Sequence, residues 1–274
     1  MIHPTALIDR KAEIHDTAEI GPYVVVEGPV VVGEGCIVGP YVHLLGHTTI
    51  GSGNRFHSGA IIGDAPQDLK YKGAPTRLRI GDNNVFREHT TVHRSTSMEG
   101  ETTIGSGNFL MAGSHVGHNS TLANDVIVAN GALIGGHCRI EDRAFISGAC
   151  LIHQFTRVGR LALMQGGSGI SKDLPPFTIA TGVNSICGLN VIGLRRAGVS
   201  PQERLELKKL YHRLFSSGRN LRESLKEMQA GHWGPAAREM IEFTAAARKG
   251  VCRHARRAAI DPGESGVEET PGLG

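Results

Sequence analysis

One periodicity limits what this chain can fold into. Stepping by six from Ile2 lands on Ile8, Ile14, Ile20, Val26, Val32, Val38, Leu44, Ile50, Phe56 and Ile62. Asp68 and Ala74 break the rule. It resumes in phase at Ile80, Phe86, Val92, Met98, Ile104, Leu110, Val116, Leu122, Val128, Ile134, Ile140, Ile146, Ile152, Val158, Met164 and Ile170. No α-helix repeats every six residues, and a plain strand repeats every two. A short strand followed by a sharp turn fits the beat. Three such units close a triangular coil of eighteen residues, and coils stack as parallel strands. The slot side chain points into a narrow prism, where β-branched Ile and Val pack well on a pleated surface. Glycine often follows the slot, as in Ile20-Gly21, Ile50-Gly51 and Val116-Gly117, and permits turn angles that a side chain resists. With 37 glycines and 5% aromatic residues, the composition suits thin layers and tight turns.

The expected fold is therefore mainly β: a parallel β-helix of hexapeptide repeats over 1–182. The two failed slots mark an excursion loop at 63–79, polar and rich in Pro and Gly, whose length preserves the phase. The Pro pair in 171–182 ends the solenoid. Residues 183–257 are expected to be a connector to 199, then a small C-terminal α-helical domain. Ser200, Pro201 and Glu203 form a helix start with a capping box. Asn220 to Glu223 opens a second helix and Pro235 a third. Together they would cap the open end of the prism. The tail 258–274 reads as disordered.

Charge and cysteines narrow the class. Net charge is +3, too mild to argue for nucleic acid. Basic residues concentrate late: Arg195, Arg196, Arg204, Lys208, Lys209, Arg213, Arg248, Lys249, Arg253, Arg256 and Arg257. That run is either a solvated face or a docking surface for an acidic partner. The five cysteines, at 36, 138, 150, 187 and 252, form no C-x-x-C pair, which points to a reducing compartment. No apolar run reaches membrane-spanning length, and the N-terminus lacks a signal-peptide pattern. A cytoplasmic protein without a transmembrane segment is expected.

The coil length turns sequence into geometry. Residues eighteen apart lie above one another, about 4.8 Å apart. His118, Gly136–His137 and His153–Gln154 then climb one outer edge, at turns rather than inward slots. His115 sits on the strand leading to that corner. By the same count His93 falls at a different corner and reaches this edge only across a subunit boundary. A metal site is one reading of such histidines, but no two are five apart as in the zinc pattern of β-helix carbonic anhydrases. The other is general-base catalysis by His118, with the unobstructed Gly136 N–H stabilising an oxyanion, which suits acyl transfer to an alcohol. Gly166-Gly167-Ser168-Gly169 lacks the last glycine of a nucleophile elbow, and no Walker A loop is present.

The stretches QDLKYKGAPT (67–76), TVHRST (91–96), LMAGSHVGH (110–118), LIGGHCRI (133–140), LIHQFTRVG (151–159), KDLPPF (172–177) and GLNVIGLRRAG (188–198) are specific. Through them the chain, over about 1–250, resembles the UDP-N-acetylglucosamine 3-O-acyltransferases that begin lipid A (lipopolysaccharide) synthesis. The resemblance implies a left-handed β-helix and a homotrimer with its site between subunits. It implies transfer of a (3R)-3-hydroxyacyl group from acyl carrier protein to the 3-OH of UDP-N-acetylglucosamine, with no cofactor and no metal. His118 matches the catalytic base and Gly136 the oxyanion donor. His93, His115, His137, His153, Gln154, Asp68 and Lys70 match substrate contacts, and Asn190 and Arg196 match contacts on the nucleotide side. Gly166 matches the position that gauges acyl length and favours about fourteen carbons over ten. The sequence departs from better-known members at Asn119, where they carry Asp, and at Ile192 and Ala197 near the nucleotide. These leave open a 3-amino sugar as acceptor. The pathway's related N-acyltransferase would carry a further domain before the β-helix, and the beat starts at Ile2. An acetyl-CoA-dependent O-acetyltransferase and a non-catalytic β-helix are the remaining alternatives.

Overall fold

The computed structural model describes residues 1–255. The expected tail 258–274, with Arg256 and Arg257, lies outside them. The six-residue beat becomes a prism of three parallel sheets. The first face stacks nine strands, from Leu7–Ile8 through Ile61–Asp64, Thr91–His93, His115–Val116 and Leu133–Ile134 to Gly169–Ile170. The second stacks eight, from Glu13–Ile14 to Arg157–Val158. The third begins at Glu19–Ile20 and continues past the prism into the C-terminal region.

The slot residues fill the interior. Every one from Ile20 to Ile170 is buried except those in the loops, and Ile8 and Ile14 pack against them at the open end. Each fully buried aliphatic contributes about 1.5–3 kcal/mol. Phe56 and Phe86, one coil apart, stack at 4.8 Å. Asn54, Asn84 and Asn108 form a buried amide ladder that satisfies its own polar atoms: the Asn54 carbonyl accepts from the Asn84 side chain at 2.9 Å, and the Asn84 carbonyl accepts likewise from Asn108.

The register corrects the sequence reading at one place. Where coils are unbroken, partners are eighteen apart, as in Val116↔Ile134. Ile62 instead pairs with Val92, thirty residues on, and Val92 pairs with Val116, twenty-four on. The first gap contains the expected excursion. The second contains a six-residue excursion at 94–99 that was not anticipated. Met98 therefore does not fill a slot; it lies in this loop and is 49% exposed. A six-residue insertion leaves the beat in phase and advances the count by one face. His93 consequently lies on the first face beneath His115, not at a different corner. No subunit boundary separates them.

Above the last full coil, Thr178–Thr181 adds to the third face and Ser185–Leu189 turns back antiparallel to it. The expected connector thus contains this strand and a short helix, α1 (Val191–Arg196). Three longer helices follow: α2 (Pro201–Tyr211), α3 (Leu221–Gln229) and α4 (Pro235–Ala245). Helix α2 opens with the capping box foreseen at Ser200 and Glu203, and a π-helical turn at His212–Ser216 extends it. Asn220 caps α3. Leu207, Leu210, Met228, Ala237 and Met240 form a second core, into which Leu161 and Phe177 project from the prism's end.

Candidate active site

Both excursions leave the prism at the corner between the first and second faces. The turns carrying His118, Gly136–His137 and His153–Gln154 occupy the same corner in successive coils. One ridge therefore gathers two loops and the histidine column.

The left-handed backbone of these turns sets the side-chain directions. Asn119, His137 and Phe155 repeat at eighteen-residue intervals with φ of 58°, 57° and 62°. His137 stacks on Phe155 at 4.5 Å and meets the edge of His118 at 5.2 Å. Lys249, from the C-terminal region, lies over the Phe155 ring and donates to the Gln154 carbonyl at 3.2 Å. His118 lies across Gly136: a Cβ there would sit 2.7 Å from the His118 Cε1 and Nε2 atoms. Glycine is needed for the imidazole to occupy this position. The Gly136 N–H has no hydrogen-bond partner among the described residues. On its other side, His118 Nδ1 meets Asn119 Oδ1 at 2.9 Å.

Below this corner the first-face histidines form a drier pair. His93 is buried with its Nδ1 unpartnered among the described residues, and its ring lies edge-on to His115 at 4.9 Å. His115 Nδ1 meets Thr91 Oγ1 at 2.8 Å. Burial, reinforced by His93 and His118, lowers the His115 pKa to about 4. Burial also lowers that of His93, with Asp64 opposing it. Burial lowers that of His137, and Asp68 from the first excursion opposes it. These three imidazoles are held toward the neutral form, able to donate and accept hydrogen bonds.

The structure brings together His93, His115, His118, Gly136, His137 and Asp68 in one chain, with exposed His153 and Gln154 a coil above. Lys70 is exposed on the first excursion. Asn190, Arg196 and Gly166 are not on this ridge. Asn190 and Arg196 line a cavity of about 1010 Å³ on the third face, with Arg143, Phe145, Leu161 and Ile192. The Asn190 side chain is already committed: it caps α1 through the Gly193 N–H and donates to the Leu161 carbonyl. Gly166 sits at the corner between the third and first faces, above Gly148, and a Cβ there would make only ordinary contact. Arg204 is held to the Val199 carbonyl and Arg213 pairs with Glu227, leaving Lys208 and Lys209 as the freer cations of α2. Sequence reasoning missed Arg94, which donates to the Gly63 carbonyl and the Tyr71 hydroxyl and so ties the second excursion to the first. It also missed Thr96. The register count, with Met98 as a false slot, was the signal that hid both. Among the described residues no group of three His, Cys, Asp or Glu side chains is arranged to hold a metal, and no helix is long and apolar enough to cross a membrane.

Fold and ridge together define a hexapeptide-repeat acyltransferase. The family model described as UDP N-acetylglucosamine O-acyltransferase, domain 2, matches residues 173–252. The bacterial transferase hexapeptide model matches 11–44, 29–64 and 101–136. An acyl-[acyl-carrier-protein]–UDP-N-acetylglucosamine O-acyltransferase of Alkalilimnicola ehrlichii is 43% identical over 92% of this chain and 99% of its own. The protein of that name from Thermodesulfovibrio yellowstonii is 42% identical over the same shares. A solved UDP-N-acetylglucosamine acyltransferase from Bacteroides fragilis superposes with a TM-score of 0.89 at 38% identity, over 92% of this chain and 100% of that one. The chain belongs to the acyl-[acyl-carrier-protein]–UDP-N-acetylglucosamine O-acyltransferase family.

Proposed function

We propose that this protein transfers a (3R)-3-hydroxyacyl group from acyl carrier protein to the 3-hydroxyl of UDP-N-acetylglucosamine, the first step of lipid A synthesis. The observation that carries this reading is His118. Its Nδ1 is engaged by Asn119, its Nε2 side lies against Gly136, and the Gly136 N–H is unengaged among the described residues. His118 Nε2 takes the proton of the sugar 3-hydroxyl as the oxygen attacks the thioester carbon. The carbonyl oxygen becomes an oxyanion that accepts from the Gly136 N–H. The C–S bond then breaks, and His118 returns the proton to the carrier's thiolate. No covalent enzyme intermediate is required.

The neutral His93, His115 and His137 suit hydrogen bonding to uncharged sugar and acyl groups, with Asp68, Lys70, His153 and Gln154 around them. Asn190 and Arg196 serve the nucleotide side. They lie on a different face from His118, so a homotrimer, with one subunit's third face against another's ridge, would complete the site. Gly166 would leave room for an acyl chain near fourteen carbons. Acyl carrier proteins are acidic, and Lys208, Lys209, Arg248 and Lys249 would steer one to the ridge's upper end. Catalysis in the cytoplasm follows from these substrates.

The test is incubation of the purified protein with UDP-N-acetylglucosamine, or its 3-amino analogue, and a ladder of hydroxyacyl carrier proteins, with products read by mass. The expected product is the 3-O-acyl sugar nucleotide from the fourteen-carbon donor. Turnover of the 3-amino analogue alone would replace the ester with an amide, using the same base. No acylated sugar nucleotide from any donor would refute the reading.

A further inference from the structure

Asn119 presents His118 with an amide, and an amide has two unlike ends. A carboxylate would accept a hydrogen bond through either oxygen. An amide accepts only at its oxygen and donates at its nitrogen. If the Asn119 amide were reversed, its NH₂ would face His118 Nδ1. The imidazole would then carry its proton on Nε2, and no lone pair would remain there to take the sugar proton. Something must fix which way the amide points.

The six-residue excursion supplies it. Thr96 donates twice to Asn119 Oδ1, from its backbone N–H at 3.0 Å and from its hydroxyl at 2.9 Å. A backbone N–H can only donate, so the Asn119 atom it meets is the oxygen. His118 Nδ1, 2.9 Å from that same oxygen, must carry the proton. Thr96 is itself held. Buried Ser95 donates through its hydroxyl to the Ser97 and Gly100 carbonyls and closes the loop around it. The Asn119 backbone N–H donates to Thr102 Oγ1 at 2.8 Å, which secures the turn from the other side.

We infer that Thr96 is a positioning residue that orients the Asn119 amide and thereby sets the His118 tautomer with Nε2 free. The inference rests on the reading of His118 as the base, but its structural half can be measured without turnover. In protein labelled with ¹⁵N-histidine, above pH 8, the His118 signal, assigned by its loss in His118→Ala, should be that of the Nδ1–H tautomer. An Nε2–H tautomer would overturn the inference. In kinetics with UDP-N-acetylglucosamine and a fourteen-carbon hydroxyacyl carrier, Thr96→Val should lower kcat about three- to tenfold, the effect of losing one hydrogen bond, with KM within about twofold. Thr96→Ser, which keeps the hydroxyl, should restore it. With Asn119→Asp the carboxylate needs no orienting, so adding Thr96→Val should then cost less than about twofold. An equal loss in both backgrounds would make Thr96 merely structural and sink the proposal. Retained turnover in His118→Ala would sink the general-base reading instead, while the tautomer signal would still report on the orienting contact.

Discussion

The N-terminal coils and the middle coils obey one core rule and use their corners differently. In the N-terminal coils, turn histidines close their own turns. His3 and His15 each place Nδ1 2.9 Å from the hydroxyl of a threonine two residues on, and both are exposed. At the ridge corner of the first coil, Asp9 accepts from the Lys11 and Gly28 N–H groups, and these bonds hold its carboxyl below the usual range. These side chains serve their own turns. In the middle coils, the same corner is opened by two excursions. His118 turns its Nδ1 to a side chain fixed from a loop, and among the described residues the Gly136 N–H is left unengaged and His93 keeps an unpartnered nitrogen. A histidine at a turn is therefore not a functional signal by itself. It becomes one where the imidazole is released from closing its own turn and a neighbouring N–H is left open.

His118→Ala probes that contrast most sharply. It should lower turnover about 10²–10⁴-fold, the range for a lost general base, with the thermal transition unchanged. His15→Ala should leave turnover as it is. Gly136→Ala should come next. Its methyl group would displace the imidazole, and a shift near 1 Å costs about 10²-fold in rate. Comparable activity in Gly136→Ala would mean that the imidazole can move without consequence. Ile134→Ala strikes the shared core instead. It should cost about 2–5 kcal/mol in denaturant unfolding and leave kcat of the folded fraction intact.

Acidity separates the two regions more gently. The folded state holds the His115 pKa near 4 by burial, against 6.5 for an ordinary histidine. Between these values the unfolded chain binds the extra proton, so stability falls as pH drops from about 6.5 toward 4 and levels off below. His115→Gln should flatten that part of the stability curve; an unchanged slope would show that His115 is more hydrated than its packing indicates. Asp9 works in the same sense but in a more acidic window. Its lowered pKa gives stability that is present above the unfolded value and lost as pH falls through the folded one. The smallest effect concerns docking. Lys208→Glu should raise KM for the carrier protein about two- to fivefold at low salt, less at high salt, and leave KM for the sugar nucleotide alone.

Much of this was legible in the residues. From Ile20 to Ile170 the beat placed every buried slot and added one false one, Met98, because a short strand and turn repeated every six residues puts the same side chain inside each time. The capping box at Ser200 marked the start of α2, because its signal is local. The column of His118, Gly136 and His137 followed from counting in eighteens through unbroken coils. His93 did not, because the count crossed an excursion that the pattern hides. The short helix after Asn190 was also unseen, since six residues are too few for a helical period to register.

The sequence by itself determined that a prism forms and which side chains line it. Periodicity fixes the phase of each residue, and burial of Ile, Val and Leu enforces it. Only the tertiary structure decided which corner each excursion opens. A six-residue insertion is invisible to a six-residue period, yet it rotates all that follows by one face. That rotation brings His93 beneath His115 and sets Thr96 against the partner of His118.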